Sequence, residues 1–280
     1  MGASCVVSSN FYRDVVHLTS PAVSEQVMTL LNVSFAACGF LGIYHLGAAE
    51  ALLRHGDRLL GSLGCCAGAS AGALVAAVMI TAPEQFESCK EFTYRFAESV
   101  RRQRFGAVTP GYDFMLALRE GMEEVLPAEA HRLATDRLHV SLTHSGSGKN
   151  HMVSRFTSRE DLIQALLASS FVPVYAGLKP VEFRGQKWID GGFTDSLPLL
   201  PVGRTITVSP FAGRQDVCPV HMGRFNSQLR LANMNVMFSV ENIKRLNRAL
   251  FPPPTATMHS LCEEGSTDAV RFLRREKWMS

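Results

Sequence analysis

Two strand–turn–helix units stand back to back near the start of this chain, and they leave few ways for it to fold. Residues 32–37 form a short apolar run that ends in a glycine-containing turn, and residues 44–53 read as a helix. Residues 63–67 form a second apolar run ending at Gly68, followed by a helical stretch over 71–81. Strands that hand over to helices in this way pair in parallel, because the chain must cross one face of the sheet to begin the next strand. The expectation is an α/β protein with a mainly parallel central sheet. Beyond the break at Pro83, the residues Phe86, Cys89, Phe92, Phe96 and Val100 recur at spacings of three and four, one face of a helix over 84–104. Thr157-Ser158-Arg159-Glu160 reads as a capping box ahead of a helix over 161–169. Residues 138–143, 187–189 and 205–209 have strand character. Leu229, Ala232, Val236, Val240, Ile243 and Leu250 mark a long helix near the C-terminus.

With 46% apolar and 19% charged residues among 280, the chain can bury one sizeable core and is no disordered polyampholyte. It divides into an N-terminal extension, 1–30, expected to be loosely ordered, and a single domain over 31–280. The extension lacks the apolar core of a secretory signal. Its one arginine, Arg13, is opposed by Asp14 and Glu25, unlike a mitochondrial presequence. Val6 stands where a myristoylation motif needs Ser or Thr. Met28 offers an internal start for a shorter product, which the intact mass of the native protein would reveal. The longest apolar run, 73–80, is far short of the ~20 residues that span a bilayer. A net charge of +3 without a dense basic stripe gives no reason to expect a nucleic-acid partner. Seven cysteines with no C-x-x-C pair signal neither a disulfide framework nor a zinc site, so a reducing intracellular compartment and no metal or cofactor are expected. Oligomeric state is not readable.

The sharpest chemical feature is Gly68-Ala69-Ser70-Ala71-Gly72, a G-x-S-x-G between a predicted strand and a predicted helix. The glycines allow a sharp turn that pushes the Ser70 hydroxyl out at the carboxyl end of the strand. The following helix aims its N-terminal amides at negative charge developing there. Small residues also make ordinary turns, so the motif alone leaves a purely structural role open. Ala37-Cys38-Gly39-Phe40-Leu41-Gly42 supplies a second glycine turn. Read as a dinucleotide fingerprint it fails at Ala37, and Asp57 matches the ribose-binding acid only loosely. Read as a set of backbone donors, Cys38, Gly39 and Phe40 would face the same space as Ser70. For the base, His221 and His259 lack a recognisable turn context. Asp190-Gly191-Gly192 follows a short strand and lets the chain approach closely, although an ordinary Asx turn has the same composition.

The elbow, the upstream glycine turn, the downstream D-G-G and the absence of a convincing histidine together resemble the patatin-like phospholipases, which use a Ser–Asp dyad. The likeness runs from about residue 32 to 278 and includes the stretches SFAACGFLGIYHLG (34–47), FGAVTPGYD (105–113) and LASSFVP (167–173). It implies a three-layer α/β/α sandwich and a catalytic domain over 31–280. The implied activity is hydrolysis and transacylation of lipid acyl esters, with triacylglycerol, retinyl esters and phospholipids as substrates met at a membrane or lipid-droplet surface. A mitochondrial or lipid-droplet location is implied with them. Carried over position by position, Ser70 is the nucleophile, Asp190 the base, and Cys38, Gly39 and Phe40 the oxyanion hole. The turn glycines are Gly42, Gly68, Gly72, Gly191 and Gly192. Ala37 stands where many members have a glycine and Leu41 where the plant and bacterial members have a basic residue, and residues 1–27 lie outside the likeness. Two alternatives stand beside it, a Ser–His–Asp esterase drawing on His221 or His259, and a non-catalytic lipid-binding relative. Residues 105–126 and 272–278 combine apolar and basic side chains and are the candidates for touching lipid, although ordinary core-facing helices with solvated polar faces read the same way and are the first expectation for each. Cys65-Cys66 reads as small apolar packing.

Overall fold

The computed structural model describes residues 30–220 and 228–279. Strand β1 (Leu31–Phe35), buried at every position, runs through the 3-10 turn Gly39–Leu41 into helix α1 (Gly42–His55). The single turn α2 (Asp57–Leu60) leads to β2 (Leu63–Gly68), which passes at Ser70 into α3 (Ala71–Thr81). Helices α4 (Phe86–Arg102), α5 (Phe114–Val125) and α6 (Ala130–Ala134) precede β3 (Leu138–His144) and β4 (Asn150–Val153). Then come α7 (Arg159–Ser169), β5 (Val181–Phe183), β6 (Gln186–Asp190) and β7 (Arg204–Val208). A hairpin of β8 (Gln228–Leu231) and β9 (Met234–Met237) is followed by α8 (Val240–Leu250) and α9 (Thr255–Glu276).

The strands β3, β2, β1 and β7 lie side by side in parallel, β4 and β6 each pair antiparallel with β3, and β5 pairs antiparallel with β6, in the order β5-β6-β3-β2-β1-β7 with β4 on β3. Helices cover the sheet, giving the expected three-layer α/β/α arrangement. α3 is apolar on all sides and buried from Ala73 to Thr81 except Leu74, as a helix must be when it is enclosed between sheet and helices. α4 buries one face, Phe86, Cys89, Phe96 and Val100, as its periodicity predicts. α9 packs along α1.

Two expectations need correction. The long C-terminal helix is a hairpin followed by a shorter helix. Ala232 and Asn233 both take positive φ (42° and 66°), the two-residue turn that matches strand twist, and Ser239 then caps α8 by accepting from the Asn242 N–H. The capping box is displaced by one residue. Ser158 accepts from the Asp161 N–H at 3.0 Å, and the Asp161 carboxylate accepts from the Thr157 N–H at 2.9 Å, so α7 begins at Arg159. Residues 272–278 are absorbed in packing: Phe272 and Leu273 are buried, and the Trp278 ring stands edge-on to Phe272 with the Arg204 guanidinium 5.3 Å from its centre. In the other candidate lipid segment, Leu118, Met122 and Val125 of α5 also face inward. Of the paired cysteines, Cys66 is buried and Cys65 half-buried.

Candidate active site

Strand register brings Ser70 and Asp190 to one level. Gly68 of β2 lies opposite Val140 of β3, and Leu142, two residues further along β3, lies opposite Asp190 of β6. Ser70, two residues beyond Gly68, therefore reaches the same height at the carboxyl ends of the parallel strands, where open α/β sheets place their ligand crevices. The Gly39–Leu41 turn follows the adjacent strand β1 and meets them there.

Ser70 sits at φ 53°, ψ −130°, a backbone conformation that a residue with a side chain adopts only under strain of about 1–3 kcal/mol. The elbow can be this tight because Gly72 has no side chain. A Cβ there would lie 2.2 Å from the Phe35 carbonyl oxygen, and one at Gly68 2.5 Å from the Gly72 backbone. Two serines that the sequence reading missed hold the turn. The Ser70 N–H donates to Ser169 Oγ at 2.9 Å, and Ser169 Oγ–H donates to the Ser141 carbonyl at 2.7 Å. Ser169 is fully buried at the end of α7. Replacing it by Ala leaves both partners unsatisfied in a dry interior, so Ser169→Ala is expected to destabilise the fold by about 1–3 kcal/mol, read by thermal unfolding.

Asp190 is buried, and its Oδ1 accepts from the Gly192 N–H at 2.7 Å. The backbone around it is clamped: its N–H donates to the Phe171 carbonyl, and its own carbonyl accepts from Thr143 Oγ1 at 2.9 Å. Thr143 Oγ1 also bonds Thr194 Oγ1, and Asn150 Nδ2 donates to both Thr194 Oγ1 and Ser141 Oγ. The Asp190 carboxyl is raised to about 6, because burial pushes it up by more than the Ser70 hydroxyl and the Gly192 amide, both donating to its ionised form, pull it back.

Cys38, Gly39 and Phe40 line the same cavity as Ser70 and Asp190. As the first amides of a helical run that continues into α1, those of Gly39 and Phe40 have no intrahelical carbonyl to bond. Gly39 is held at φ 52°, and a Cβ on it would lie 2.2 Å from the Ala249 carbonyl of α8. Gly42 begins α1 beside Ala71, and Gly191 and Gly192 form the 3-10 turn after Asp190, with Gly192 facing Ala37. The Cys38 thiol is buried beside Asp190, and both desolvation and the carboxylate raise its pKa, so it stays a neutral thiol.

The cavity measures about 740 Å³, inside the ~300–1,000 Å³ of small-molecule sites. Its lining is largely apolar, with Ser70, Asp190, Ser170, Ser196 and Asn242 among the polar residues. Leu74, Val78, Phe96 and Phe114 form part of one wall, and Met234 and Leu246 part of another. His259 is not among the lining residues; it stacks on Tyr94 with ring centres 4.3 Å apart. His221 lies outside the described residues. Asp57, the weak ribose-binding candidate, begins α2 away from this cavity.

A strained serine elbow, a buried carboxylate and a glycine turn meet on one apolar-lined cavity. The chain belongs to the patatin-like phospholipase family, whose members are lipid hydrolases and acyltransferases. The sequence model of that family, described as patatin-like phospholipase, matches residues 33–202. The chain is 60% identical to human patatin-like phospholipase domain-containing protein 4 over 251 residues, 90% of this chain and 99% of that one. It is 41% identical to human omega-hydroxyceramide transacylase over 87% of this chain and 46% of that one. It is 39% identical to rat patatin-like phospholipase domain-containing protein 2 over 88% and 52%. Against these last two it spans about half their length. Among the described residues no helix is long and apolar enough to cross a membrane.

Proposed function

We propose that this protein hydrolyses and transfers the acyl groups of neutral lipid esters, triacylglycerol and retinyl esters, and of phospholipids, through Ser70 and Asp190. The observation that carries the reading is the meeting of the Ser70 hydroxyl and the buried Asp190 carboxyl on a largely apolar cavity. In the proposed cycle Asp190 takes the Ser70 proton as Oγ bonds to the ester carbonyl carbon. The amides of Cys38, Gly39 and Phe40 hold the oxygen that becomes negative, each donor of this kind being worth about 10²–10³ in rate. The carbon–oxygen bond to the alcohol breaks, the alcohol leaves with the proton from Asp190, and the acyl group remains on Ser70. Water, deprotonated by Asp190, then releases a fatty acid and restores Ser70; a second alcohol in place of water gives a new ester. A carboxylate raised to about 6 is a better match to a serine proton than one at ~3.9.

A shared acyl-serine makes a specific kinetic expectation. With the same acyl chain carried on a glyceride, a retinyl ester or a phospholipid, and retinol or diacylglycerol added as acceptor, the ratio of new ester to free fatty acid is expected to depend on acceptor concentration and not on the donor. A ratio that follows the donor alcohol, or no turnover of any of the three, contradicts the proposal.

A further inference from the structure

Helix α8 carries the most exposed apolar face described in the molecule. Its inner side is Asn242 and Ala249, both buried, with Arg245 paired to Glu264 of α9. Rotating away from that side, Ile243, Leu246 and Leu250 are exposed and at the same time line the cavity. Further round stand Val240 and Phe251, 62% and 57% exposed and outside the cavity, with Phe238 66% exposed just before the helix. Lys244 and Arg248 border this apolar stripe and make no ion pair among the described residues.

Two segments hydrogen-bonded to the end of this helix and the turn after it carry further exposed apolar side chains. The Tyr175 hydroxyl donates to the Leu250 carbonyl, tying to the end of α8 a loop whose Val174 and Leu178 are 70% and 86% exposed. Arg101 donates to the Pro253 carbonyl at 2.6 Å, bringing up the turn that exposes Phe105 and Val108 beside Arg104. Single exposed apolar residues are ordinary, but a contiguous set rimming a cavity mouth marks an interaction surface.

We propose that the exposed face of α8 is the element by which the protein docks on a lipid surface bearing anionic headgroups, with the cavity mouth pressed against the lipid. Three features select this partner. The stripe is continuous with the apolar lining that leads to Ser70, so an ester can pass from lipid to site without crossing water. The apolar side chains are bordered by cations that make no ion pair among the described residues, the pattern of a helix lying in an interface with its apolar face in the acyl boundary. Each Lys or Arg near an anionic surface also adds to the attraction. The inference rests on the proposed lipid-ester chemistry and locates where that chemistry meets its substrate; it moves the lipid contact from residues 105–126 and 272–278 as a whole to α8 and its rim.

The test uses full-length protein and vesicles of phosphatidylcholine with a minority of phosphatidylserine. The double variant V240E/F251E changes two outward residues that do not line the cavity. It is expected to keep turnover of a water-soluble short-chain ester while binding vesicles roughly thirtyfold more weakly and losing a similar factor in turnover of vesicle-borne ester. The variant K244Q/R248Q is expected to bind these vesicles roughly tenfold more weakly and to bind pure phosphatidylcholine vesicles as the native protein does. In F251W, an aromatic exchange that preserves packing, lipids brominated on their acyl chains are expected to quench the added fluorescence. Unchanged vesicle binding by both double variants, absence of quenching, or a face that instead mediates self-association lost in V240E/F251E overturns the docking proposal. Failure of the native protein to turn over the soluble ester overturns the chemical reading instead, so the two failures are distinguishable.

Discussion

Ser70→Ala is expected to remove ester turnover down to the background, a loss of about 10⁴–10⁶, with the circular dichroism spectrum unchanged. The hydroxyl is the only part of Ser70 that the proposed chemistry uses. The elbow itself is held by the backbone, through the bond from the Ser70 N–H to Ser169 Oγ and the close packing at Gly72, and a methyl side chain leaves both in place. A companion variant separates strain from chemistry. Ser70→Gly removes the side chain from a residue at φ 53°, where glycine is unstrained, so it is expected to be inactive like Ser70→Ala but more stable than it by about 1 kcal/mol. Equal stability of the two variants in thermal unfolding would show that the elbow is not strained in solution.

Asp190→Asn is expected to lower turnover by at least about 10³ while making the protein more stable than its parent at neutral pH. The activity loss follows from the missing base: an amide cannot accept the Ser70 proton, although its oxygen can still accept from the Gly192 N–H. The stability gain follows from the sign of the pKa shift. Burial raises the carboxyl from 3.8 to about 6 in the folded protein, so folding favours the protonated form. That contribution is fully present below pH ~4 and is lost as pH rises through about 6, a change of roughly 3 kcal/mol for two pKa units. The variant has no such loss, so the gap in melting temperature between variant and parent is expected to widen from pH 4 to pH 7. The same ionisation governs rate. Turnover by the native protein is expected to rise about tenfold per pH unit below 6 and to level off above it. A rate profile flat from pH 5 to 8, or a melting gap independent of pH, contradicts the assignment of Asp190 as a buried base.

The parts of this site that were legible in the chain were those where chemistry constrains local sequence. A serine on a strained turn needs glycine at 68 and 72, and the aspartate that faces it needs Gly192 to bring a backbone amide onto its carboxylate. The Ser169–Ser141 support was not legible, because a buried serine that bonds backbone groups across the fold has no local pattern. The stretch LASSFVP entered the family likeness without showing that Ser169, one of its two buried serines, supports the elbow. The misread C-terminal helix has a different cause. From Leu229 to Leu250 the apolar spacing fits a helix at several positions, while the turn that breaks it, Ala232-Asn233, lacks the glycine that usually announces a hairpin. The exposed face of α8 was hidden for the same reason. Apolar periodicity reports that a helix has an apolar stripe, and only the packing of Asn242 and Ala249 against the body shows that the stripe points outward.

The most direct measurement is the mass of the protein after reaction with a fluorophosphonate carrying an alkyl chain, with the modified peptide sequenced. A single adduct is predicted on Ser70, absent in Ser70→Ala and formed far more slowly in Asp190→Asn. An adduct on any other residue, or a Ser70 that reacts as fast without the Asp190 carboxylate as with it, would contradict the pairing on which the proposed chemistry depends.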